Sequence, residues 1–144
     1  MKNVIVIALG GERFAVELRW VREIFTLGHV TPVPSAPAVI AGATNFRGSI
    51  VPVLHGAGLL AALGKKVSAS RGPKAGDSVV LIDVEDMRAA ISIERIDEVT
   101  TLDNTAGHDA VLVDREGREA QLLDPPSLLA AARRLVGEKV GVPE

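Results

Sequence analysis

Two short apolar runs, Val4-Ile5-Val6-Ile7-Ala8-Leu9 and Val79-Val80-Leu81-Ile82, mark the places where the chain goes inside. Runs of this length, rich in β-branched residues and bounded by turn formers, predict buried strands. After the first, Gly10-Gly11 tolerates positive φ and Arg13 to Leu18 returns, which predicts a hairpin. After the second, Glu85-Asp86 turns and Arg88 to Ile93 returns. A third hairpin is predicted from Ala110 to Val113, a turn at Arg115-Glu116-Gly117, and Ala120 to Leu123. Between these hairpins the period changes. Val21, Ile24 and Phe25 recur at helical spacing and predict about two helical turns over Arg19 to Phe25. Thr31-Pro32-Val33-Pro34-Ser35-Ala36-Pro37 predicts an extended surface crossing. Val39 to Ala43 and Ile50 to Leu54 read as strands, and Leu59 to Leu63 as a helical turn ended by Gly64. Lys65 to Asp77 is a basic loop, and Leu102 to Asp109 a polar one. Asp124-Pro125 starts a helix, with Asp as N-cap and Pro at the first helical position. Leu128, Leu129, Ala132, Leu135 and Val136 follow helical spacing, and Gly137 is the expected stop.

The pattern repeats. At a shift of 75, Val4 to Ile7 meet Val79 to Ile82, and Arg13, Ala15, Val16 and Leu18 meet Arg88, Ala90, Ile91 and Ile93. Val21, Glu23 and Ile24 meet Ile96, Glu98 and Val99. At a shift of 69, Leu54, Leu59 and Leu60 meet Leu123, Leu128 and Leu129, and Gly48 meets Gly117. Two copies are too few for a solenoid and suit two similar small β-barrels. Closure of each sheet would remove exposed edges.

Composition narrows the function. The 144 residues suffice for one compact domain or two small sub-barrels sharing a core. The net charge of −2 argues against nucleic acid or an anionic membrane as partner. With no cysteine, thiol catalysis, zinc-thiolate sites and disulfides are excluded. His29, His55 and His108 are isolated, and no serine has a nucleophile-elbow context. No phosphate-binding glycine fingerprint is complete. Asp83, Glu85 and Asp86 read as a solvated turn. No cofactor is expected. No apolar run approaches a membrane span, and the N-terminus lacks a signal-peptide pattern, so the expected location is cytoplasmic.

One motif remains. Asn45-Phe46-Arg47-Gly48-Ser49 is a tight-turn signal that runs into Ile50-Val51-Pro52-Val53, a strand whose proline predicts an edge or bulge. Arg47 is thereby held on a rigid turn. Together with Trp20-Val21-Arg22-Glu23-Ile24 and Thr31-Pro32-Val33-Pro34, this stretch resembles the CheW family of chemotaxis coupling proteins. The resemblance covers about residues 4–136. It implies a mainly β fold of two intertwined five-stranded SH3-like β-barrel subdomains, with a short helix after the first hairpin and a C-terminal helix near 125–136. The sub-barrels are expected mainly around 4–63 and 79–123. The resemblance further implies a non-catalytic adaptor that binds the cytoplasmic hairpin tip of chemoreceptors and the regulatory domain of a CheA-type histidine kinase. An accessory protein that binds only one of these, and a small β-barrel that binds a ligand, are the alternative readings. The family's functional valine, glutamate and arginine fall on Val21, Glu23 and Arg47; Asn45 and Gly48 frame the turn and complete the expected interface set. Where the family continues with Asp-Leu-Arg, this chain has His55-Gly56-Ala57.

Overall fold

The computed structural model describes residues 2–68, 71–85, 87–105, 108–114 and 116–140, leaving out the side chains of 103–105, 108–110 and 137–140. Ten strands form two sheets. β1 (Lys2–Leu9) and β2 (Glu12–Glu17) make the first hairpin, followed by a 3-10 turn at Leu18–Trp20 and β3 (Val21–Thr26). β4 (Ile40–Phe46), β5 (Ser49–Leu54) and helix α1 (Gly56–Ala62) complete the first half. β6 (Ser78–Val84), β7 (Met87–Ile93), β8 (Arg95–Thr105), β9 (His108–Val113), β10 (Glu119–Leu122) and helix α2 (Pro125–Val140) follow.

The halves of the chain do not each make their own sheet. One sheet is a closed barrel in the order β1-β2-β10-β9-β8, and the other has the order β3-β6-β7-β5-β4. Each half therefore keeps its first hairpin and sends its remaining strands to the other sheet. β3 pairs with β6 and β8 with β1, while the parallel pairs β5–β7 and β10–β2 attach the exchanged hairpins. This corrects the expected grouping around 4–63 and 79–123. The expected two intertwined five-stranded subdomains are met in part: both sheets have five strands and the halves exchange strands, the first sheet closes into a barrel, and among the described residues β3 and β4 are the edges of the second.

The apolar runs are buried on both faces for a physical reason. Val4 and Val6 point into the closed barrel, and Ile5, Ile7 and Leu9 point out of it into a core shared with the other sheet. The second run does the same: Val79 and Leu81 fill the second sheet's concave side, and Val80, Ile82 and Val84 join the shared core. α1 and α2 cover that core with Leu59, Leu60, Leu128 and Leu129. Burial of each such side chain stabilises by roughly 1.5–3 kcal/mol, so the shared core welds the two sheets into one body.

Three expected elements come out differently. The helical turns over Arg19 to Phe25 reduce to the 3-10 turn, and the rest is β3. The pairing register skips Arg22, with Val21 opposite Ile82 and Glu23 opposite Leu81. That bulge puts Val21 and Ile24 on one face and so mimics helical spacing. The polar loop over Leu102 to Asp109 is the end of β8 and the start of β9, with 106–107 outside the described residues. α2 runs through Gly137 to Val140. Its start is as expected at Asp124-Pro125: the Leu128 N–H donates to the Asp124 carbonyl at 3.0 Å, and the Ser127 hydroxyl donates to the Asp124 carboxylate.

Candidate functional site

The turn between β4 and β5 carries the expected arginine. Phe46 pairs with Ser49, so the turn has two central residues. Arg47 has φ 49° and Gly48 φ 86°, which makes it a hairpin turn of the primed class that matches strand twist. The Asn45 side-chain oxygen accepts the Gly48 N–H at 2.9 Å and fixes the loop. Gly48 suits its place because positive φ costs it nothing; Arg47 takes the same region at a cost.

Arg47 reaches Glu23 on the opposite edge strand. Its Nη2 lies 2.9 Å from Oε1 and 3.1 Å from Oε2. The pair is solvent-facing, with Arg47 73% and Glu23 30% exposed, so it is worth under about 1 kcal/mol. Its role is positional. The Arg47 guanidinium also lies over the Phe46 ring at 5.0 Å, and the Phe46 ring meets Phe25 of β3 at 4.8 Å between centroids. These contacts bring the two edges of the second sheet together through side chains and give it part of a barrel's closure.

Val21 is half-buried against the shared core rather than lying free on the surface. Trp20 packs against the same core and has the Arg19 guanidinium 4.6 Å above its ring. Sequence reasoning did not assign the apolar residues across from Val21. In β8, Val99 pairs with Ile5 and Ile96 with Ile7, with Asp97 passed over. This is the same bulge as at Arg22, one repeat later. It turns Ile96 and Val99, 36% and 58% exposed, toward the face from which Ile5 and Ile7 enter the shared core. Val21 and Ile24 do the same beside Ile82 and Val80. β3 and β8 thus present apolar positions that are equivalent in register. The signal was in the repeat, which matches Val21 with Ile96 and Ile24 with Val99.

The glutamates matched by the repeat are used differently. Glu98, the counterpart of Glu23, faces Arg13 of its own barrel, with Nη2 3.6 Å from Oε1. Arg13 also lies 3.2 Å from Asp97 and 3.8 Å from Asp114. Burial pushes the Asp97 carboxyl up, but Arg13 and Arg95 together hold it below its ordinary value. The position equivalent to Arg47 is Glu116. The turn at Arg47 thus places its exposed arginine directly on the glutamate of a bulged strand, where the matched turn has Glu116.

The substitution His55-Gly56-Ala57 falls where α1 begins. Gly56 and Ala57 are buried, and the Gly56 N–H donates to the Ser92 hydroxyl at 3.0 Å. Asp83 of the acidic cluster is engaged by Arg88 at 3.1 Å and by Arg22 at 3.4 Å. Among the described residues no three metal-ligating side chains converge. No helix among them is long and apolar enough to cross a membrane.

Comparison with known proteins bears on the family and the fold. The CheW-like domain family matches residues 3–133. The chain is 31% identical over 99 residues to the chemotaxis protein CheW of Treponema pallidum (strain Nichols), covering 67% of this chain and 56% of that protein. It is 26% identical over 101 residues to the chemotaxis protein CheW of Rhizobium meliloti (strain 1021), covering 70% and 61%. The matched region thus spans less than two thirds of the length of these relatives. The crystal structure of the scaffolding protein TtCheW from Thermoanaerobacter tengcongensis has the same fold, with a TM-score of 0.66 at 19% identity over 85% of this chain and 88% of that one. With a family match over nearly its whole length, the chain belongs to the CheW-like domain family.

Proposed function

We propose that this protein is a non-catalytic adaptor that couples chemoreceptors to a CheA-type histidine kinase in a bacterial chemosensory system, working in the cytoplasm. The observation that carries the reading is the exposed Glu23–Arg47 pair, which joins the turn after β4 to the bulged edge strand β3. An apolar centre with a charged rim suits a helical partner that presents apolar side chains along one face. The cytoplasmic hairpin tip of a chemoreceptor is such a partner. Val21 and Ile24 form one wall of its seat, and Ile96 and Val99 the other. Asn45 and Gly48 hold the turn that presents Arg47.

The kinase regulatory domain is the second partner. The His55-Gly56-Ala57 departure does not argue against kinase binding, because Gly56 and Ala57 are interior residues and present no surface. Separate titrations of the chain with a soluble receptor hairpin fragment and with an isolated kinase regulatory domain test the proposal. Saturable binding to both is expected, and binding to neither overturns it. Binding to one alone would favour an accessory protein with a single partner.

A further inference from the structure

We propose that Phe46 is a positioning residue: its ring carries the Arg47 guanidinium and holds it against Glu23 at the partner-facing rim. The partner in this proposal rests on the adaptor reading above. Three observations support it. β3 and β4 are the two edges of their sheet, and Phe25 and Phe46 meet across them at 4.8 Å with an interplanar angle of 35°. The Phe46 ring is therefore held by a neighbouring ring. The Arg47 guanidinium lies over the same ring, 5.0 Å from its centroid, while gripping both Glu23 oxygens. A ring face attracts a cation at this distance. Finally, Arg47 is 73% exposed on a backbone with φ 49°. Nothing in the turn itself confines so long a side chain, and fixing it opposes its rotamer entropy. A flat aromatic surface beneath the guanidinium narrows the accessible rotamers to those that reach Glu23.

Leucine at position 46 would keep an apolar contact with Phe25 but offer no ring face. Tyrosine would keep the face. The free full-length chain provides the first test, by NMR of the Arg47 side-chain Hε resonance. Ring-current shielding is expected in the wild type and in Phe46→Tyr, and its loss in Phe46→Leu. Titration with a soluble receptor hairpin fragment provides the second. Phe46→Leu should weaken binding about two- to fivefold, Phe46→Tyr should bind as the wild type, and Phe46→Leu should have no further effect in an Arg47→Ala background. A purely structural role predicts the same Phe46→Leu loss in both backgrounds and an Hε resonance indifferent to the ring; that result overturns the proposal. If the wild type fails to bind the hairpin, the adaptor reading falls, and the Hε comparison alone decides whether Phe46 positions Arg47.

Discussion

Gly56→Ala tests how the two halves of the chain are joined. Gly56 is the first residue of α1, and it lies against β7 of the other half. A methyl group there would stand well inside van der Waals contact with the Ser92 carbonyl oxygen and 3.1 Å from both Leu9 methyls. The carbonyl belongs to a paired strand and cannot turn away, so α1 must retreat. Retreat stretches the 3.0 Å bond from the Gly56 N–H to the buried Ser92 hydroxyl. Overpacking costs about 1–3 kcal/mol and the lost bond about 0.5–1.5 kcal/mol, so about 1.5–4.5 kcal/mol is expected in total. For a chain of this size that lowers the melting temperature by roughly 6–15 °C. Urea unfolding followed by circular dichroism measures it. Ser92→Ala, which removes the bond without adding volume, should cost only about 1 kcal/mol. A Gly56→Ala protein within about 0.5 kcal/mol of the wild type would refute the packing argument.

Other consequences follow from the charge network and the apolar walls. Arg13→Met leaves Asp97 and Glu98 without their shared cation and should destabilise by ~2 kcal/mol, less than for a fully buried pair; unchanged urea unfolding would contradict this. Asp77 accepts a two-pronged bond from Arg71, at 2.8 Å on each carboxylate oxygen, and its pKa is lowered to about 2. A depressed carboxyl pKa stabilises the fold above the unfolded value near 3.9, and that contribution is lost as pH falls through about 2. Carbon-detected NMR titration should place the Asp77 midpoint near the folded value, and a midpoint near the unfolded one would contradict the pairing. Val99→Glu should leave urea unfolding within about 0.5 kcal/mol of the wild type and weaken receptor-hairpin binding about tenfold or more, since Val99 is largely exposed. Unchanged affinity would remove β8 from the partner's seat.

The hairpins were legible in the sequence because their strands are buried on alternating faces or on both. β3 and β8 were not. In each, one bulged residue, Arg22 or Asp97, shifts the alternation, so apolar positions fall three apart as in a helix. In β8 the polar residues Thr100, Thr101 and Asp103 further disguised a strand that gains its ladder from β1 and β9. Strand exchange between the halves was implied by the family resemblance but could not be read from the residue pattern. The repeat shows that two units are alike, while the choice of partner depends on the shared core, which no local pattern records. Within the candidate site, the turn followed from the motif, while Glu23 and Arg47 were singled out by the family resemblance. The ring contact beneath Arg47 depends on Phe25, whose own spacing had suggested a helix.

Charge reversal at the rim tests the adaptor account most directly. A soluble receptor hairpin fragment is titrated into the wild type, Arg47→Glu, Glu23→Arg and the double exchange, each first shown by urea unfolding to be folded. The account predicts saturable binding by the wild type, a clear loss in both single variants, and partial recovery when the exchange restores the pair. Equal affinity across all four proteins, or no binding by the folded wild type, would contradict it.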